Sequence, residues 1–109
     1  MVSYFVRYQG EATDPVAFTE YYAAQHAAIL KRFPAINSLI LHTPQDWIDP
    51  FQVRAGSALL LAQMTFDDDD ALNAALRSEA RKDARADFSK FPPFSGEVTH
   101  QAMRSRVIF

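Results

Sequence analysis

The sequence predicts an α+β domain in which two helices pack on one face of a four-stranded antiparallel sheet. Segments with the alternating pattern of strands and segments with the period of amphipathic helices follow one another in the order β-α-β-β-α-β. The chain has 109 residues, and 49% of them are hydrophobic. That length suffices for one core and is too short for two, so we expect a single domain over residues 1–109.

The first strand and the first helix are predicted from apolar spacing. Large side chains alternate over 2–8, as they do in a strand with one buried face. Asp14 followed by Pro15 is typical of a helix start, because Asp accepts hydrogen bonds from free backbone N–H groups and Pro fits the first turn. A helix is predicted over 15–33. Its apolar face carries Phe18, Tyr22, Ile29 and Phe33.

Three more strands and a second helix complete the pattern. We expect the strands over 36–43, 58–66 and 97–109, and the middle one is apolar enough to be buried on both faces. The second helix is predicted from 67 to about 90, where acidic residues in the first turn suit the positive end of the helix dipole. Its apolar face carries Leu72, Leu76, Ala80, Ala84 and Phe88. This order of elements is that of the ferredoxin-like fold.

Because both helices cover one face of such a sheet, the other face needs a cover of its own. The strands are rich in Val, Leu, Ile and Phe on both sides. An apolar sheet face left in water usually marks an interface. A second copy of the chain, packed sheet against sheet around a twofold axis, is the simplest cover, so we expect a homodimer.

Composition and charge exclude several classes of function. The net charge of -2, with acidic and basic residues mixed along the chain, provides no broad basic surface for nucleic acid. The longest wholly apolar run, 58–62, is too short to cross a bilayer, so no membrane partner is expected. The N-terminal segment has the pattern of a strand and not of a signal peptide, which favours the cytoplasm.

No cofactor or metal site is predicted. Three Gly are too few for a Gly-rich nucleotide-binding loop or a nucleophile elbow. The chain has no Cys, and its three His lie far apart, without the spacing of metal ligands. Any chemistry should therefore use side chains and the substrate's own reactivity.

Several different short motifs are spread along the whole chain. The first, in the predicted first helix, is Phe18-x-x-Tyr21-Tyr22-x-x-x-His26-Ala27. The others are Phe33-Pro34-x-Ile36, Asp46-Trp47-x-Asp49-Pro50-Phe51, Ala84-Arg85-Ala86-Asp87-Phe88, Phe91-Pro92 and Thr99-His100-Gln101. Together they resemble the EthD family of the dimeric α/β-barrel group, which is named after a locus for ethyl tert-butyl ether degradation.

The resemblance implies a ferredoxin-like dimer with a cleft between the helices and the sheet of each subunit. Relatives include small cofactor-free isomerases and cyclases that act on lactones and polyketides. The histidine that matches His26 is a candidate for proton transfer in such proteins. Tyr22 also matches the motif, whereas Trp47 and His42 carry over only as neighbours of the site.

His26 is the first candidate for catalysis. It follows Tyr22 by four residues and Phe18 by eight, so the three share the apolar face of the helix, where Phe18 would line the substrate site. A half-buried imidazole can move protons near neutral pH; burial lowers its pKa and a nearby carboxylate raises it. Tyr22 could donate a hydrogen bond to a substrate carbonyl or enolate. The alternative for both residues is packing in the core.

Four further residues are candidates for substrate binding. His42 ends the second predicted strand beside a long loop, where sites often form; a solvent-exposed residue at the sheet rim is the alternative. Trp47 and Phe51 are costly in water, so they should form a lid over the cleft, pack on a partner subunit or build a small satellite core. Asp87 opposes the helix dipole unless it has a partner, so it orients a ring, caps the break at Pro92 or is exposed.

A basic stripe is predicted on the second helix. Arg77, Arg81 and Arg85 recur at intervals of four, with Glu79 and Asp83 close by. A solvated, salt-bridged face is the expected arrangement. An anion site is the alternative.

These residues favour a cofactor-free enzyme, or an accessory of a catabolic pathway, that acts on a small apolar or aromatic metabolite. Proton abstraction next to a carbonyl, as in isomerisation, cyclisation or dehydration, suits a His and a Tyr on one helix face. The first alternative is a non-catalytic binding or carrier module with the same cleft. The second is a structural dimer whose cleft is filled by its own side chains, in which case no cavity should lie beside His26.

Overall fold

Four strands form one antiparallel sheet in the computed structural model, which describes residues 1–109. They are β1 (Val2–Ala12), β2 (Ser38–His42), β3 (Ala58–Phe66) and β4 (Phe94–Arg104). Their order across the sheet is β2-β3-β1-β4, and every neighbouring pair is antiparallel. The ferredoxin-like arrangement predicted from the sequence is confirmed.

The first helical segment contains an unpredicted π-helical turn. It consists of α1 (Pro15–Tyr21), the π turn (Tyr22–His26) and α2 (Ala27–Leu30), and Asp14 caps its start by accepting a hydrogen bond from the Ala17 N–H. Its buried residues are Phe18, Tyr22, His26 and Leu30. Because an α-helix has about 3.6 residues per turn, residues spaced by four rotate gradually around its axis. The wider π turn offsets part of that rotation. Leu30 is therefore buried in place of the predicted Ile29.

The second helical segment is interrupted, in contrast to the single helix expected over 67–90. It comprises α3 (Asp69–Leu76) and α4 (Glu79–Asp87). Between them, the Ser78 hydroxyl accepts a hydrogen bond from the Arg81 N–H and so caps a new helix start. Ser at such a position competes with the helical backbone pattern. A 3₁₀ turn (Phe88–Lys90) follows α4 and leads into β4.

Strand ends also differ from the predictions. β1 continues past the expected turn at Gly10 because it stays paired with β4 as far as Ala12. β4 begins at Phe94 and ends at Arg104, so residues 105–109 lie outside the sheet. β2 is shorter than predicted and begins at Ser38.

The core lies between the sheet and the helices. Alternate residues of the two central strands are buried there: Val2, Tyr4, Val6 and Tyr8 from β1, and Leu60, Ala62, Met64 and Phe66 from β3. The opposite face, called here the open sheet face (Phe5, Ile40, Leu61 and Met103), has no helix over it, and Ile40 and Met103 are 44% and 49% exposed. None of the helices has the length and apolar character needed to span a membrane.

Two glycines face each other where β1 and β4 pair closely. Gly10 and Gly96 are cross-strand partners, and their φ angles are 147° and 152°. A Cβ atom on Gly10 would collide with the carbonyl oxygen of Ser95, and one on Gly96 would collide with that of Gln9. The strands can therefore approach here only without side chains.

We predict that Gly10→Ala lowers the free energy of unfolding by about 1–3 kcal/mol, because the new methyl group forces backbone strain. Urea denaturation measures the change. Gly56→Ala is the matched control, since Gly56 has open space around its Cβ position. Equal stability of the two variants would contradict this account of the Gly10–Gly96 pair.

Candidate functional site

A cavity of about 470 Å³ lies between the helices and the sheet. Ten of its fourteen lining residues are hydrophobic. The aliphatic and aromatic wall includes Val6, Leu30, Phe33, Met64, Ala84 and Val98. A cavity of this size and lining suits a small, mostly apolar molecule, and it counts against a cleft filled by the chain's own side chains.

At one end of the cavity, His26 forms a buried pair with Asp87. The His26 Nδ1 lies 2.9 Å from one carboxylate oxygen of Asp87, and the Tyr21 hydroxyl donates to the other at 2.8 Å. The side chains of His26 and Asp87 are only 7% and 9% exposed. Asp87 thus contacts a ring, which is one of the arrangements that the sequence left open, and it is not exposed.

This pair fixes the tautomer of His26. Because a carboxylate only accepts hydrogen bonds, Nδ1 carries the proton, and the lone pair of Nε2 is free. Nε2 forms no hydrogen bond, and every side-chain nitrogen or oxygen sealed from solvent has a partner. Nε2 therefore keeps contact with solvent, and His26 lines the cavity.

The pair also has the charge state of a general base and its supporting carboxylate. Burial lowers the pKa of His26 below its ordinary value, and the hydrogen bond and charge of Asp87 offset only part of that effect. Burial alone would raise the pKa of Asp87, but hydrogen bonds from His26 and Tyr21 hold it below its ordinary value. At neutral pH the imidazole is neutral and the carboxylate is ionised, as proton abstraction requires.

The π-helical turn positions His26 among aromatic rings. The ring centroids of Tyr22 and Phe91 lie 4.7 Å and 4.8 Å from that of His26. Such turns are frequent at functional sites, where they re-aim one side chain. His26 ends the π turn and Asp87 ends α4, so the pair joins the two helical segments.

Tyr22 lines the cavity, whereas Phe18 does not. Tyr22 is 1% exposed, lines the cavity and packs edge-on against Tyr8, with centroids 5.9 Å apart. Burial, followed by the effect of neighbouring Tyr8, raises the pKa of Tyr22, so its hydroxyl keeps the proton that it could donate. Phe18 packs against Tyr8 and Phe91 and does not line the cavity.

His42, Trp47 and Phe51 lie apart from this cavity. His42 is exposed on the open side of the sheet, where its Nε2 is 3.1 Å from Oε1 of Gln63. Trp47 and Phe51 are 58% and 78% exposed. Neither forms a lid over the cavity within one chain, and their contact with a partner subunit stays a prediction.

The far end of the cavity is formed by residues that the sequence did not connect. We call it the cationic end (Tyr4, Arg81, Arg85 and His100). The Tyr4 hydroxyl is 2.9 Å from Nδ1 of His100, and the Arg81 guanidinium lies 5.8 Å from the Tyr4 ring centroid. His100 is an exposed residue; partial burial of its ring lowers its pKa, and the charges of Arg81 and Arg85 lower it further. The register of β4 on β1 brings His100 close to Tyr4, and the packing of α4 on the sheet adds the arginines.

Fold and site together define a ferredoxin-like α+β protein with a binding cavity between its helices and its sheet. No group of three or more His, Cys, Asp or Glu side chains is placed to hold a metal ion. Residues 10–92 match the family model of the EthD domain. The chain belongs to the EthD family, which confirms the resemblance carried by its motifs.

Solved structures share this fold at low sequence identity. An EthD family protein from Bacillus halodurans is 21% identical, with a TM-score of 0.74 over 97% of this chain and 100% of that one. SnoaB, a cofactor-independent oxygenase from Streptomyces nogalater, is 18% identical, with a TM-score of 0.66 over 97% and 93%. A monooxygenase from the gene ActVA-Orf6 of Streptomyces coelicolor, in complex with nanaomycin D, is 14% identical, with a TM-score of 0.69 over 99% and 89%. A comparison with curated proteins finds no match.

We predict that acid destabilises the protein partly through His26. Its folded-state pKa lies below the ordinary value of 6.5, so the unfolded chain binds the proton more tightly, and stability is lost as pH falls from above 6.5 through the folded pKa. The depressed pKa of Asp87 acts in the same direction below 3.8. In His26→Asn, whose amide can still donate to Asp87, the free energy of unfolding should change less between about pH 7.5 and about pH 5.5.

Urea denaturation at both pH values measures this difference. His100 also has a lowered pKa, so the comparison is made in a His100→Gln background. The control is His42→Asn, which alters an exposed imidazole. An unchanged pH dependence in His26→Asn would show that His26 does not carry it.

Proposed function

We propose that this protein is a cofactor-free enzyme that abstracts a proton from a small apolar or aromatic metabolite, with His26 as general base. One observation carries the proposal: the buried Asp87–His26 pair leaves Nε2 unprotonated on a ring that lines a mostly apolar cavity. An unpaired imidazole lone pair in such a place is suited to taking a proton from a bound molecule.

The proposed reaction begins at a carbon next to a carbonyl group. Nε2 of His26 takes the proton, and the electron pair of the broken C–H bond passes to the carbonyl oxygen as an enolate. The Tyr22 hydroxyl donates a hydrogen bond to that oxygen, and the ionised Asp87 stabilises the imidazolium. Tyr22 lines the same cavity, and its ring centroid lies 4.7 Å from that of His26.

Three outcomes follow from that enolate. Where the enolate is conjugated with a C=C bond, return of the proton from His26 to the γ carbon moves the double bond and completes an isomerisation. Attack of the enolate carbon on a second carbonyl, with protonation of the new alkoxide by His26, completes a cyclisation. Loss of a hydroxyl group β to the carbonyl, protonated by His26 to leave as water, completes a dehydration.

Oxygenation is a second candidate, favoured by the likeness to structures described as a cofactor-independent oxygenase and a monooxygenase. The same base would produce a carbanion or phenolate that reacts directly with O₂. A substrate methylene then gives up two hydrogens and four electrons to O₂. One oxygen atom becomes the new carbonyl oxygen and the other leaves as water.

We predict that the wild type catalyses hydrogen–deuterium exchange next to a carbonyl. Thermal melting first selects ligands from small ketones, lactones, phenols and polyketide fragments, since binding to the native state raises stability. NMR in D₂O then follows exchange. The exchange rate should fall about 10²–10⁴-fold in His26→Asn, because the general base is removed, and by a smaller factor in Asp87→Asn.

The control is Asp83→Asn, which removes an exposed carboxylate of α4 that pairs with Arg32. It should keep the full exchange rate. Undiminished exchange in a folded His26→Asn variant would refute the role of His26. A ligand that binds and emerges unexchanged would support a carrier function instead, and O₂ consumption during turnover would identify the oxygenase.

We further propose that a second copy of the chain covers the open sheet face. This face has no helix over it, and its exposed apolar residues Ile40 (44%) and Met103 (49%) lie among polar residues that include Arg7, His42 and Gln101. Burial of such a face against itself is the usual basis of a twofold dimer. Cytoplasmic location and a role in small-molecule catabolism stay predictions.

We predict that Met103→Glu converts the dimer to a monomer, because the twofold axis would bury two charges at several kcal/mol each, and the cross-strand partner of Met103 is the uncharged Ser3. Size-exclusion chromatography with light scattering measures the mass at micromolar concentration. The control is Val16→Glu, on the exposed side of α1, where Val16 is 71% exposed. A wild type that is monomeric, or a Met103→Glu variant that stays dimeric, would contradict the interface.

A further inference from the structure

The cavity carries positive charge and no negative charge on its lining. Its charged lining residues are Arg81 and Arg85, and no Asp or Glu is among the fourteen. The whole chain has a net charge of -2, so this sign is a local property of the cavity.

Neither arginine has a carboxylate partner. The salt bridges of the chain join His26 to Asp87, Arg32 to Asp83 and Lys82 to Glu79. Asp83 and Glu79 were expected to form salt bridges with the basic stripe. Asp83 instead pairs with Arg32, and Glu79 pairs with Lys82. The salt-bridged face expected for Arg81 and Arg85 is therefore not formed.

Other side chains hold the cationic end in place without neutralising it. The Arg81 guanidinium lies over the Tyr4 ring, a contact that orients an arginine and leaves its charge intact. Tyr4 is itself bonded to Nδ1 of His100. Contacts thus join Arg81, Tyr4 and His100, and Arg85, an exposed residue one turn along α4 from Arg81, lines the same cavity.

We infer that the cationic end binds the anionic group of the substrate, a carboxylate or an ionised phenol. Unpaired arginines beside an apolar cavity favour a ligand with an apolar body and one negative charge, because guanidinium groups form strong charge-assisted hydrogen bonds with such oxygens. This inference names the substrate class of the proposed enzyme and rests on that proposed function for the role of His26 alone.

The position of the cationic end also sets the length of the substrate. Tyr4 contacts His100, and Tyr8, four residues along β1, packs against Tyr22. Four residues of a strand span about 13 Å. A molecule about two rings long can therefore place its anionic group near the arginines while its other end approaches His26.

Benzoate and cinnamate, compared with their neutral amides, test the inference. Isothermal titration should give the acids a dissociation constant about 10-fold to 100-fold below that of the amides in the wild type, from charge-assisted hydrogen bonds. The ratio should fall close to one in Arg81→Gln/Arg85→Gln. NMR titration should show the acids shifting the ring protons of His100, assigned by comparison with His100→Gln.

Two further variants serve as controls for the loss of charge. Arg77→Gln removes the same charge from the same stripe at an exposed residue that does not line the cavity, so it should keep the preference for acids. Arg81→Lys keeps the charge and should keep part of the preference. Circular dichroism melting checks that each variant is folded.

Amides that bind as tightly as the acids would overturn the inference. So would a loss in Arg77→Gln equal to that in the double variant, or no binding of either acid at tens of millimolar. The two proposals can be refuted separately. If deuterium exchange depends on His26 but acids are not preferred over amides, only the anion site is refuted. A preference for acids without such exchange removes only the proposed catalysis.

Discussion

The buried hydrogen bond between His26 and Asp87 is the interaction on which both the fold and the site depend. An ionised carboxylate and an imidazole out of solvent are each costly unless they satisfy one another, and here Tyr21 completes the bonding of the carboxylate. The two residues are 61 positions apart and end separate helical segments. The same bond therefore fixes how the helices pack and which nitrogen of His26 faces the cavity.

Local pattern was enough to predict the elements, and long-range contact was needed to predict the site. The bounds of β3 and the cap at Asp14 followed from composition and spacing, because both are set by nearby residues. The regular spacing of four on each helix also follows from the sequence. How each helix accommodates that spacing does not: one inserts a π turn at Tyr22 and the other breaks at Ser78.

The residues around His26 illustrate the same limit. Its place on an apolar helix face is readable from the interval to Tyr22, and the family motif singles it out. Its partner Asp87 is not readable, since a carboxylate near a helix end has the same local pattern whether it is exposed or paired. His42 shows the converse: its strand was predicted, but strand pairing places its side chain on the open side of the sheet.

The pKa values of the two histidines that line the cavity depend on different charged groups. Burial lowers the pKa of His26 and Asp87 offsets part of that effect, whereas burial and the charges of Arg81 and Arg85 all lower the pKa of His100. An anion bound between the arginines would therefore offset their effect on the pKa of His100. In this arrangement the base of the proposed reaction has its own carboxylate partner, and the arginines stay available for the charge of the substrate.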